Sequence, residues 1–232
     1  VRWLAAAVLL AGCQQLTPEQ YGEQLFNDPQ FAGSQFNQWS CATCHDLGPA
    51  LRPEVQRIAS GGSLENVVRR PSFWGGKELR LIDAASFCYV YFMRGPEPLK
   101  EDEPRSRALY AYLATLGKDE HPPAVPVTIV LNATELMTRG PKEQGETVYR
   151  QACEVCHGQT KTGFGRSSEL ASILPNVADE YDRVFPGIPP SLVFIEKVRH
   201  GQFFRVGGNM PLFSLETLSD DNLAALLTYL GK

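Results

Sequence analysis

A five-residue pattern occurs twice in this chain of 232 residues, as Cys41-Ala-Thr-Cys44-His45 and as Cys153-Glu-Val-Cys156-His157. Two thiols three positions apart lie about one turn apart at the start of a helix. The adjacent histidine presents an imidazole beside them. Both thiols can then add to the two vinyl groups of one haem while the histidine supplies a nitrogen to the iron, so the pattern reads as c-type haem attachment. Two other chemistries use paired cysteines. A thioredoxin-like redox pair expects a βαβ context, and no convincing series of alternating strands is present. A zinc site expects four ligands close together, whereas the two motifs stand 112 residues apart with a proline-rich segment between them.

The composition is globular. With 43% hydrophobic and 21% charged residues, the chain is too apolar to be disordered, and no run of about 18 apolar residues marks a membrane-spanning helix. A net charge of −4 argues against a nucleic-acid partner, which calls for a basic excess. The two motifs take four of the six cysteines and leave Cys13 and Cys88.

Arg2 precedes a short apolar stretch, Trp3 to Ala11, in the layout of a secretory signal peptide. Leu10-Ala11-Gly12-Cys13 resembles the lipobox of bacterial lipoproteins. The resemblance implies removal of residues 1–12 and acylation of Cys13, which would anchor the protein on the periplasmic side of a bacterial membrane. Gln14 stands where an Asp would signal inner-membrane retention, which favours the outer membrane.

The surroundings of the two motifs suggest an internal repeat. Pro18-Glu-Gln-Tyr-Gly22-Glu23 precedes the first and Pro141-Lys-Glu-Gln-Gly145-Glu146 the second, each opening a short helix. Gly22 lies 19 residues before Cys41 and Gly145 lies 8 before Cys153, so the first copy carries an insertion, roughly Asn27–Gln38. Each half ends in an amphipathic helix, with Leu109, Tyr112, Leu113 and Leu116 matching Leu223, Leu226, Leu227 and Leu230 in period. Aligning Tyr112 with Tyr229 sets Asp102 and Ser219 as the N-caps. The expected organisation is all-α: a first domain over 13–117, a linker over 118–140 and a second domain over 141–232. The apolar run Pro126–Leu131 is expected to lie along a domain as a strap.

With the two motifs, the terminal helices and Gly207-Gly-Asn-Met210-Pro211, the chain resembles a dihaem cytochrome c of two tandem class I domains. The resemblance implies two covalent haems held by Cys41, Cys44 and His45 and by Cys153, Cys156 and His157. It also implies that Met210 is the sixth ligand of haem 2. His/Met ligation raises the potential and closes the iron to substrate. His200, ending a helix, suits its dipole or a propionate better than the iron, and His121 is expected in solvent.

Aligned on Gly95 and Gly201 the first half lacks about 11 residues where a methionine loop would stand, whereas the 19-residue spacing from Met93 to Tyr112 equals that from Met210 to Tyr229 and needs no missing loop. Its sixth ligand is expected from the helix Leu81–Met93, from Cys88 or from Met93. Five residues apart on an α-helix differ by about 140°, so only one of the two can face one iron. Ser86-Phe87-Cys88-Tyr89 with the following Gly95 resembles the haem-ligand cysteine region of SoxA and thiosulfate dehydrogenases. Arg69, Arg70, Arg80 and Arg94 read as a solvated basic face or propionate partners, or else as an anion site beside haem 1. Trp74 and the run Phe87–Phe92 are expected to pack against haem.

The favoured reading is a membrane-anchored electron carrier serving redox proteins of a respiratory chain, with no nucleic-acid partner. The alternative is an enzyme oxidising thiosulfate or another sulfur compound at a Cys88-ligated haem 1. A dihaem peroxidase is a weaker third reading.

Overall fold

The computed structural model describes residues 15–36, 38–48, 57–130, 139–176, 180–201 and 209–232. The expected leader, the expected acylation site Cys13, Leu131 of the expected strap and the two glycines before Asn209 lie outside the described residues. The described residues form helices, with isolated bridges Asp46–Ser63 and Phe73–Glu78 and no strand among them. The all-α expectation is met. No described helix is long and apolar enough to cross a membrane.

Helix α1 (Pro18–Asn27) starts at a capping box. Thr17 Oγ1 accepts from the Gln20 N–H at 3.2 Å while Gln20 Oε1 accepts from the Thr17 N–H at 3.0 Å. Then come α2 (Cys41–Cys44), α3 (Leu81–Phe87), a π-turn over Cys88–Phe92 and α4 (Pro104–Ala114). In the second half, α5 (Lys142–Val148) runs through a π-turn over Tyr149–Cys153 into α6 (Glu154–His157). Helices α7 (Tyr181–Val184), α8 (Pro190–His200) and α9 (Asp220–Leu230) complete the chain. Ser219 caps α9, its hydroxyl accepting from the Asn222 N–H at 3.2 Å. Asp102 does not cap α4. Pro104 fills the first helical position, where its missing N–H costs nothing, and so sets the cap at Glu103.

Each half is organised by a crossing of its first and last helices, and both crossings are made the same way. A Cβ on Gly22 would lie 2.0 Å from the Ala108 carbonyl oxygen and 2.7 Å from Tyr112 Cβ. A Cβ on Gly145 would lie 2.0 Å from the Ala225 carbonyl oxygen and 2.7 Å from Tyr229 Cβ. One turn on, Phe26 meets Tyr112 with ring centroids 5.4 Å apart, and Tyr149 meets Tyr229 at 5.7 Å. Glycine is required in both because the backbones touch.

The halves interlock. The insertion in the first copy reaches the second half: Gln38 N–H donates to the Ser167 carbonyl at 2.9 Å, and Ser168 Oγ to the Phe36 carbonyl at 3.1 Å. Trp39 Nε1 donates to Ser167 Oγ at 2.9 Å. Within the described residues, the run from Pro126 does lie along the second half as a strap. Thr128 is bonded through its N–H and hydroxyl to the Glu216 carboxylate, and its carbonyl accepts from the Leu215 N–H at 3.2 Å.

Candidate haem centres

Each Cys-x-x-Cys-His segment lines its own cavity. Cys41, Cys44 and His45 face a cavity of about 370 Å³, here cavity 1. Cys153, Cys156 and His157 face cavity 2, of about 280 Å³. Trp39, Cys44, Ser60 and Pro211 line both, so the two cavities share a wall. Burial pushes the Cys41, Cys153 and Cys156 thiols up to about 12 and raises Cys44 as well. An activated redox pair has the opposite shift. Among the described residues no three His, Cys, Asp or Glu side chains gather as they would round a zinc ion. Neutral thiols paired along a large apolar cavity fit covalent attachment to a flat apolar group.

The two histidines are held differently. His157 Nδ1 donates to the Ser172 carbonyl at 2.7 Å, which fixes the tautomer and leaves Nε2 as the free ring nitrogen for a metal. His157 sits at the end of α6, where Tyr149 donates its hydroxyl to the Gly158 carbonyl at 2.6 Å. Burial lowers the His157 pKa. His45 lies against Gly61, where a Cβ would stand 2.3 Å from its Cε1. Its Nδ1 is buried without a well-aligned hydrogen bond, and burial pulls its pKa down to about 4 against backbone hydrogen bonding at Gly62 and Gly61 that raises it. Phe26, at the position equivalent to Tyr149, has no hydroxyl to give. Both imidazoles are held neutral, the form that ligates a metal.

Met210 lines cavity 2 and packs on the second core. Its segment is held by a buried arginine that the sequence did not single out. Arg199, 1% exposed, donates to the carbonyls of Phe213 and Leu218 at 3.1 and 2.6 Å and to Asp220 Oδ1 at 2.6 Å. His200 beside it spends Nε2 on the Val130 carbonyl and Nδ1 on Glu196, so neither nitrogen is left for a metal. His121 is exposed.

Cys88 and Met93 both line cavity 1. The expected separation of about 140° assumed α-helical rotation. The chain instead makes a π-turn, with the Met93 N–H bonded to the Cys88 carbonyl at 3.1 Å. Bonding from i to i+5 widens the turn and returns the fifth residue to the face of the first. Met93 is 4% exposed. Burial raises the Cys88 pKa, and the nearby Cys44 and Cys41 thiols add to the shift.

The wall that a methionine loop would form in the first half comes from elsewhere. Val125, Pro126 and Val127 of the strap and Leu212, Ser214 and Glu216 of the second half close cavity 1. In return Thr43, Arg57, Ile58 and Arg94 help line cavity 2. Arg57, another residue without a sequence signal, ties down α2 by donating to the Ala42 and Thr43 carbonyls at 2.7 and 2.5 Å.

The four arginines do not assemble into one anion site. Arg70 alone among them lines cavity 1, with its guanidinium on the Ser63 and Glu65 carbonyls at 2.8 and 2.6 Å. Arg69 bonds the Gly117 carbonyl at 2.8 Å, and exposed Arg80 pairs with Glu101 at 2.8 Å. Arg94 lines cavity 2 and bonds Asn209 Oδ1. Of the aromatics, Trp74, Tyr89 and Phe92 line cavity 1, whereas Tyr91 is 51% exposed.

Residues 140–230 match the family model described as cytochrome c oxidase, cbb3-type, subunit III. The second half is similar to a cytochrome c domain. Such a domain carries a covalent c-type haem and transfers electrons. Comparison with the curated proteins finds no match. A solved structure similar to this chain is thiosulfate dehydrogenase (TsdBA) from Marichromatium purpuratum in its as-isolated form, at 15% identity and a TM-score of 0.41. The alignment covers 92% of this chain and 45% of that one, so this chain spans less than half the length of that protein.

Proposed function

We propose that the protein is a dihaem cytochrome c that passes electrons between redox partners outside the cytoplasm, held to the membrane by lipid on Cys13. The observation that carries the reading is the pair of apolar cavities, each faced by one Cys-x-x-Cys-His segment and sharing the wall of Trp39, Cys44, Ser60 and Pro211. Cys41 and Cys44 would hold haem 1 by thioether bonds and Cys153 and Cys156 haem 2, with His45 and His157 on the irons. Met210 would complete haem 2, and the Cys88–Met93 turn would supply haem 1. Haems with unlike ligands have unequal potentials, which gives electron flow a direction across the shared wall.

The test is the haem stoichiometry and redox titration of the full chain matured in a cell that attaches c-type haem. Two haems per chain that re-equilibrate within one kinetic phase after mixing with a reductant are expected. One haem per chain, or two that exchange no electrons, would overturn the reading. The anchor has its own test: a Cys13→Ala protein should leave the membrane fraction, and unchanged association would remove the lipid from the account.

A second reading is oxidation of thiosulfate or another sulfur compound at haem 1. It is favoured by the placement of Cys88 in cavity 1. Thiosulfate-dependent reduction of an electron acceptor, lost in Cys88→Ser, would support it. No reduction would leave the carrier reading alone.

A further inference from the structure

We propose that haem 1 has two sixth ligands rather than one: Cys88 serves the oxidised iron and Met93 the reduced iron. The inference rests on the reading that cavity 1 holds a haem.

The geometry that carries it is the π-turn. Cys88 opens the turn and Met93 closes it, joined by the 3.1 Å bond between the Met93 N–H and the Cys88 carbonyl. Both side chains line the same cavity as Cys41, Cys44 and His45. Neither is a surface residue: Met93 packs with Leu25, Phe31, Tyr89 and Leu99, and Cys88 is only partly exposed. A π-turn holds one residue more than an α-turn, and moving that extra residue along the helix changes which side chain faces the cavity without unfolding the element.

The turn is held at its ends and within: Tyr89 is buried, its hydroxyl donating to the Phe31 carbonyl at 3.5 Å and accepting from Arg105 at 3.1 Å. Ahead of it, Ser86 accepts the Leu99 N–H at 3.0 Å and is buried. Behind it, Gly95 N–H bonds the Tyr89 carbonyl at 2.8 Å, and a Cβ on Gly95 would strike the Tyr89 ring. Between Met93 and Gly95 stands Arg94 at φ +66°, a conformation that strains a side chain bearing a Cβ.

The chemistry assigns the order. A thiolate is an anionic donor and stabilises ferric iron, whereas a neutral thioether favours the ferrous state. Cys88 would hold the oxidised iron as its thiolate. With one electron supplied by a redox partner and one proton from water it would be released as a neutral thiol, and Met93 would hold the reduced iron through its thioether. Loss of the electron and of the proton would restore Cys88.

The experiment uses the full-length holoprotein in a Met210→His background, which removes haem 2 from the thioether signals, and adds Cys88→Ser or Met93→Leu. Ferric ligands are read by EPR and near-infrared magnetic circular dichroism, and ferrous ligands by absorption and carbon monoxide uptake. The expected result is a ferric thiolate signal that vanishes in Cys88→Ser and persists in Met93→Leu. The ferrous form is expected to be six-coordinate unless Met93 is replaced, when it becomes five-coordinate and takes up carbon monoxide. A ferric spectrum indifferent to Cys88→Ser, or a ferrous spectrum indifferent to Met93→Leu, overturns the exchange while leaving haem 1 in place. Absence of haem from cavity 1, seen as one haem per chain by mass, overturns the underlying reading and the exchange with it. Met93→Leu conserves volume in a packed site, and the haem count of each variant reports its folding.

Discussion

In the second half His157 gives its Nδ1 proton to the Ser172 carbonyl, Tyr149 ties down Gly158, and Met210 hangs from a segment held by Arg199. In the first half His45 packs against the backbone of Gly61 and Gly62, Phe26 stands where Tyr149 would, and a π-turn over Cys88–Phe92 precedes a left-handed Arg94. The helix crossings of the two halves are nearly superimposable in their contacts, yet these surroundings differ. The lesson is that a crossing and an attachment motif set where a haem goes, while the neighbouring hydrogen bonds set how firmly its ligands are held. The second half holds its histidine by a hydrogen bond to the Ser172 carbonyl, whereas the first ties its short helix α2 through Arg57.

Removing the attachment thiols is the most severe way to break this comparison. Cys41→Ser with Cys44→Ser should leave one haem per chain, and so should Cys153→Ser with Cys156→Ser, as read from the intact mass. If either pair abolishes both haems, the halves mature as one unit and cannot be compared as separate sites.

The crossings come next. Gly22→Ala or Gly145→Ala forces a methyl group onto a helix backbone at 2.0 Å, and overpacking of this kind costs about 1–3 kcal/mol. Equal losses in thermal unfolding are expected from the two. A harmless alanine at either would show that the crossings are not equivalent.

Arg199→Met should cost about 3 kcal/mol, because buried carbonyls of Phe213 and Leu218 lose their donor. It should also weaken the thioether signature of haem 2 and leave haem 1 unchanged. Loss of signal at haem 1 instead would contradict the separate anchoring of the two ligand segments.

Arg94 is the reverse case, with little effect on stability expected. Its bond to Asn209 joins the residue after Met93 to the residue before Met210. Arg94→Gln should shift the spectra of both haems together, whereas a shift at one alone would show that the two segments are uncoupled.

The smallest effect concerns the strap. Burial pushes the Glu216 carboxyl up, but hydrogen bonds from the Thr128 hydroxyl and N–H and from Ser214 hold it down at about 2. A carboxyl depressed in the folded state contributes stability that is complete above its unfolded value near 4.3. That contribution is lost as pH falls toward about 2. Hydrogen exchange at the Thr128 amide should therefore stay slow at neutral pH and quicken relative to an unfolded reference below about pH 4. Glu216→Gln should flatten that dependence.

Much of this was legible in the sequence. Gly22, Gly145, Tyr112 and Tyr229 occupy matching places because a close helix crossing needs a glycine facing a defined partner, and the spacing records it. Ser219 was readable because capping is local. Asp102 was misplaced by one residue because Pro104, two positions on, decides where α4 can begin. Arg199 and Arg57 left no trace, since a basic residue near the end of a helix and another in a loop look alike whether buried or solvated. The arginine cluster near haem 1 dispersed because neighbours along the chain, such as Arg69 and Arg70, reach different partners.

The sequence by itself determined the helical class and the paired Cys-x-x-Cys-His segments, because thiols and imidazole at fixed spacing act over a single turn. Tertiary structure alone decided that strap and second half close cavity 1, since those walls come from residues far along the chain. It decided also that Cys88 and Met93 share a face. One extra residue in a turn, invisible to an α-helical period, is a choice made by packing against the surrounding core.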